Sequence, residues 1–179
     1  MRISGFLAVL LFAAGAAGAS HCACDVSKPA TLKARNCSLC VEVEKHPAQP
    51  FVIFLKDANP SKPNRLLALP RIHTDEAHGL ADLTLQQRTE LWTAAIRKAK
   101  ELWGDRWGIA YNGDQVRTQC HAHIHIGRMI PGVETDNFIV VDGPADIPVP
   151  GGDGFWIHEQ DGKLHVHRGE QITETVLLR

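Results

Sequence analysis

The stretch Cys120-His121-Ala122-His123-Ile124-His125-Ile126-Gly127 constrains this chain more than any other. Its histidines alternate with small or apolar residues. In a β-strand such alternation sends successive side chains to opposite faces. The expectation is a strand with His121, His123 and His125 on its solvent face, and with Cys120, Ala122, Ile124 and Ile126 packed into a core. Imidazoles in a row add little to packing and much to chemistry.

Strand geometry separates the chemistries open to them. At roughly 3.3 Å per residue, the outer two histidines lie about 13 Å apart. A zinc ion holds its nitrogens at about 2.0–2.1 Å, which two histidines at i and i+2 can supply and all three cannot. An extended phosphate-containing group suits the row better, with His123 attacking phosphorus while His121 and His125 hold oxygens and the leaving group. Such a nucleophile must be neutral, with one nitrogen free and the proton on the other fixed by a backbone carbonyl. The attack gives a covalent phospho-histidine that water then opens. Donors are needed around the phosphoryl oxygens, and Gln119, Arg117, Arg128 and Asn112 are the further candidates. This chemistry requires no metal and no cofactor. The alternatives are a metal-binding module using two of the histidines, a non-catalytic nucleotide binder, and a polar strand face.

The 179 residues allow one domain of ordinary size with appendages. A formal charge of −1 argues against a nucleic acid or an anionic membrane as partner. Residues 1–19 read as an export signal: Arg2, an apolar run over 3–12, and the small-residue site Ala17-Gly18-Ala19. An uncleaved membrane anchor is the alternative, although the run is short for a span and contains glycines. A lipid anchor on Cys22 is disfavoured by His21. Export agrees with cysteine usage, because Cys22, Cys24, Cys37 and Cys40 cluster directly after the signal. Two disulfides among these four are expected, with the pairing open and a four-thiolate zinc site as the alternative. Cys120 is expected as a buried free thiol.

Further along, residues 51–55 read as a buried strand and 56–64 as a Pro/Asn-rich loop, with a second strand over 65–69. Asp57 falls at the end of the first strand, where spacing alone favours turn chemistry. Residues 84–103 are the clearest helix: Thr84 and Gln87 make a capping box, and Leu91, Trp92, Ala95, Ala99, Leu102 and Trp103 form an apolar stripe. Gly104 is suited to end it. Strands are expected at 107–111 and 138–141, and a hairpin over 155–168 turns at Asp161-Gly162. A final strand is expected at 172–178. His165 and His167 read as exposed residues with no ligand role, and His158 on the facing strand adds only a weak and unsupported metal site.

The chain resembles the histidine triad (HIT-like) superfamily. The alternating histidines carry the resemblance, together with Asp57-Ala58-Asn59-Pro60-Ser61-Lys62-Pro63 and Leu67-Ala68-Leu69-Pro70-Arg71-Ile72-His73 upstream. Parts of it resemble the exported CDP-diacylglycerol pyrophosphatases: Leu55 to Asn59, Arg117 to Ile126, the proline-rich run to Val149-Pro150-Gly151-Gly152, and the cysteines ahead of the first strand. The stretch after the triad is shorter here than in that branch. The resemblance implies a middle histidine, His123, as nucleophile, phosphate contact by His125, and ribose binding by Asp57. It implies release of a nucleoside monophosphate from a nucleotide or CDP-lipid substrate. Association with a membrane surface would then run through the substrate, and two chains sharing a sheet would make a homodimer. A nucleoside phosphoramidate hydrolase or nucleotidyl transferase is the alternative. The expected fold is α+β: an antiparallel sheet of about five strands, one main helix, and a cysteine-rich extension. The expected organisation is a signal at 1–19, the extension at 20–49 and a HIT-like domain at 50–179.

Overall fold

A computed structural model describes residues 22–46, 50–72 and 79–179. The expected export signal and His73 lie outside the described residues. The fold is mixed α+β. Seven strands form one antiparallel sheet rather than the expected five: β1 (Val52–Lys56), β2 (Leu66–Pro70), β3 (Trp107–Tyr111), β4 (Ile124–Arg128), β5 (Phe138–Val141), β6 (Gly154–Gln160) and β7 (Lys163–Glu170). Their order across the sheet is β1-β2-β4-β3-β6-β7-β5.

The two faces of the sheet are covered differently. The main helix, α2 (Leu85–Trp103), starts at the capping box between Thr84 and Gln87. It ends at Gly104, whose φ of 54° most side chains avoid. Its Leu91, Trp92, Ala95 and Ala99 are buried against Ile109, Ile124, Ile126, Ile157 and Val166. Burying each Leu or Ile of this layer contributes about 1.5–3 kcal/mol. Leu102, expected in the stripe, is 45% exposed, while its neighbour Trp103 packs against the core.

A short helix, α1 (Ser38–Glu44), covers the opposite face at the β1–β2 end. Its Leu39 and Val43 pack on Ile53, Leu67 and Leu69, the residues that alternate with the α2-facing set. The middle of this face is covered by the C-terminal segment, whose Leu177 side chain lies against Gly108 and Gly127. A side chain at Gly127 would already approach Leu177 Cβ to 3.2 Å.

Three expectations need correction here. The final segment is no strand: residues 174–176 form a 3-10 turn, with one bridge between Met129 and Leu177. Its polar backbone is taken up by side chains. The Arg65 guanidinium donates to the carbonyls of Leu177 and Leu178, and Asn112 Oδ1 accepts from the amides of Thr173 and Glu174 at 3.0 and 3.1 Å. The hairpin at Asp161-Gly162 forms as expected, with φ of 51° and 74°. However, His167 is buried, 1% exposed, and His158 is buried too, because β5 adds to the far side of β7 and completes the cover.

The third correction is to the cysteines. The bridges are Cys22–Cys120 and Cys24–Cys37, each with Cα atoms 5.6 Å apart. Cys120 is therefore not the free thiol; Cys40 is, and burial pushes it up to about 11. The Asn36 carbonyl accepts from the Cys120 amide at 2.8 Å, which brings the extension and the triad segment side by side. These pairs are compatible with an oxidising, exported environment. No helix among the described residues is long and apolar enough to cross a membrane.

Candidate active site

The triad does not lie along one strand. β4 begins only at Ile124, so His121 and His123 precede it, where the backbone has left the sheet to meet Asn36 and Cys22. All three histidines are buried, at 1%, 6% and 6% exposure, rather than spread on a solvent face. His121 turns away from the other two, and its Nε2 donates to the Pro70 carbonyl at 2.8 Å. His123 and His125 stay together, with rings edge-on and centroids 4.9 Å apart.

Hydrogen bonds assign the tautomers. His123 Nδ1 lies 2.8 Å from the His121 carbonyl, which can only accept, so Nδ1 carries the proton and Nε2 the lone pair. Asn112 uses its Oδ1 on the amides of Thr173 and Glu174, which turns its Nδ2 donor toward His125 Nε2 at 3.4 Å. His125 therefore accepts at Nε2 and carries its proton on Nδ1, 3.4 Å from Glu174 Oε2 and 3.9 Å from Asp57 Oδ2. Burial holds both His123 and His125 below the usual histidine value, and for His125 the neighbouring His123, Lys62 and Arg65 add to it. Both rings are accordingly neutral at neutral pH, the form a nucleophile requires.

His123 and His125 line a cavity of about 840 Å³, within the range of small-molecule sites. Asp57, Lys62, Asn112, Arg117, Gln119 and Glu174 line it as well, with Arg35, Ser38 and Glu42 contributed by the cysteine-tied extension. Asp57 makes the expected turn and also lines the cavity. Its Oδ1 accepts from the Asn59 amide at 2.9 Å, a turn, while Oδ2 faces His125. Arg117 stacks over the Tyr111 ring, donates to its hydroxyl, and pairs with Asp114 at 3.2 Å. Gln119 is largely engaged. Its Oε1 accepts from the Ser38 hydroxyl at 2.8 Å, and its Nε2 donates to the Arg35 carbonyl at 3.1 Å.

Two candidates fall outside this cavity. His121 faces Pro70, and Arg128, at the far end of β4, is three residues beyond His125 along the strand. Three residues that sequence reasoning did not assign enter it or support it. Glu174 receives Lys62 Nζ at 2.5 Å and Arg65 Nη1 at 2.7 Å, and all three lie close to His125. Lys62 stood in the quoted Asp57–Pro63 segment without a role. No local signal marked Glu174, which reaches the site only because the C-terminal segment folds back.

Asp57, His125 and Glu174 offer ligand atoms within 4.8 Å of one another, the geometry of a cation site. Lys62 and Arg65 already neutralise Glu174, and a divalent ion there would meet two fixed positive charges. The arrangement is better suited to an anionic ligand. No family model matches this chain, and no curated protein matches it.

Proposed function

We propose that this protein is a histidine triad-like phosphohydrolase that cleaves a nucleotide phosphoanhydride through a covalent phospho-histidine. The observation that carries the reading is the His123 tautomer. Its Nδ1 proton is committed to the His121 carbonyl, so the lone pair is on Nε2, in a ring that lines the cavity. Nε2 attacks phosphorus in line, the N–P bond forms, and the P–O bond to the leaving group breaks with its electron pair leaving on oxygen. Water then opens the N–P bond and restores His123. His125 is held by Asn112 beside Glu174 in the cavity wall, and Lys62 and Arg117 offset the negative charge of the transferring group. His121 acts through its carbonyl rather than through its ring.

By the resemblance, Asp57 takes the ribose hydroxyls, and a nucleoside is half of the substrate. An exported enzyme of this kind meets membrane lipids more readily than free nucleotides, which favours a CDP-diacylglycerol-like substrate and release of CMP. The cavity is of a size for a nucleotide head with the acyl chains left outside. The test is release of CMP from CDP-diacylglycerol beside release of AMP from an adenosine phosphoramidate, repeated with His123→Asn and Asp57→Ala. His123→Asn is expected to abolish turnover, and Asp57→Ala to raise KM. Turnover of the phosphoramidate alone would remove the lipid assignment, and near-normal turnover by His123→Asn would remove the nucleophile.

A further inference from the structure

The same sheet face carries a second group of histidines that the phosphoryl chemistry does not use. His158 on β6 pairs directly with His165 on β7, and His167 lies two residues further along β7, opposite Trp156. Three histidines along a single strand spread too far for one ion. Two at i and i+2 plus a third across the strand pair converge instead. One ring nitrogen from each of His158, His165 and His167 lies within 4.8 Å of the other two.

The geometry points to a divalent transition-metal site formed by His158, His165 and His167, of the borderline kind that imidazoles select, Zn²⁺ first, with Glu134 beside its fourth position. Two ligands at about 2.0–2.1 Å from a tetrahedral ion lie ~3.3–3.4 Å apart. His158 Nε2 and His167 Nε2 are 3.3 Å apart. Glu134 Oε1 is 4.0 Å from His158 Nε2, close enough to ligate the ion directly or through a water.

The surroundings hold these rings in place as metal ligands are usually held. The Thr135 hydroxyl hydrogen-bonds His167 Nδ1 at 3.1 Å, which leaves Nε2 directed at His158. Trp156 stacks on His167 with centroids 3.5 Å apart and planes 8° from parallel, and Phe138 stacks on His165 at 4.7 Å. His158 and His167 are buried while His165 is half-buried, so an ion has a way in from one side. Three imidazoles favour zinc, nickel or copper over magnesium or calcium, which take oxygen ligands.

This site is separate from the cavity. His125, Ala110, Trp156 and His167 are successive partners across β4, β3, β6 and β7. That places His167 three strands, about 14 Å, from His125. The ion would staple the β6–β7 hairpin to the segment carrying Glu134 and Thr135 and would take no part in phosphoryl transfer.

The test is equilibrium dialysis of the tag-free protein against Zn²⁺ with the bound metal measured by elemental analysis, and substitution by Co²⁺ to read the geometry. One equivalent of zinc and the visible absorption of four-coordinate cobalt are expected. His165→Gln, at the half-exposed position, is expected to keep the fold by circular dichroism and weaken binding ~100-fold or more, and Thr135→Val about 10–100-fold. Glu174→Gln is expected to keep the full equivalent. Failure of the wild type to retain zinc would overturn the proposal. So would full retention by His165→Gln, or loss of the ion in Glu174→Gln, which would put it beside His125 instead.

Discussion

Replacing Cys22 and Cys120 together by alanine removes a bridge that spans 98 residues of chain. The nested Cys24–Cys37 bridge, of separation 13, shortens the effective loop to about 85 residues. On the chain-entropy account, closing such a loop in the unfolded state is worth about 4.6 kcal/mol, against about 3 kcal/mol for the short bridge. For a chain of this size, ~2–4 °C of melting temperature accompanies each kcal/mol, so the loss corresponds to about 9–18 °C. The cost should appear in full only while the extension stays docked, which Leu39 and Val43 on Ile53, Leu67 and Leu69 provide. The assay is non-reducing urea and thermal unfolding of the double variant beside a Cys24/Cys37 double variant. The long-bridge variant should be the less stable of the two. A loss under ~1 kcal/mol would mean that the extension detaches locally and never constrains the unfolded chain, and would refute the reasoning.

Acid should destabilise the protein before its carboxylates titrate. Burial keeps His123 and His125 below their unfolded value near 6.5, so the unfolded chain binds protons that the folded one refuses. Stability is complete above that value and falls as pH drops toward the lowered native values, by up to about 2.7 kcal/mol per pH unit for the pair. Urea midpoints at pH 7 and 5.5 measure this, and equal or greater stability at 5.5 would contradict it. The Cys40 thiol, pushed up to about 11 by burial, should resist alkylation at pH 8 until the protein unfolds and then react as one equivalent. Intact mass should show two bridges, with Cys120 in one of them; peptide mapping that finds Cys120 free would count against the fold around the triad.

Local pattern was enough for much of this architecture. The helix over residues 84–103 could be read because the apolar period and the Thr84–Gln87 box agree, and the β6–β7 hairpin because Asp161-Gly162 supports the backbone its turn needs. Residues 120–126 stood out as a candidate site for the same local reason, an alternation of imidazoles with small or apolar residues. Their arrangement was not legible. Alternation implied three histidines along one strand, whereas the bond from the Cys120 amide to Asn36 and the bridge to Cys22 pull the chain off the sheet before Ile124. His121 then turns to Pro70, and His123 gains its carbonyl partner.

The main helix and most strands were legible in the chain alone. All of these rest on neighbours a few positions apart. Tertiary structure decided the partners that lie far apart along the chain. Cys120 rather than Cys40 is bridged, and residues 172–178 lose their expected strand because Arg65 and Asn112 satisfy their backbone instead. Glu174 thereby arrives beside His125 from 49 positions further along the chain, and His158 meets His167 under the cover of β5. A short apolar alternation is compatible with a strand or with a turn held by distant side chains, and only the folded chain brings those side chains within hydrogen-bond reach.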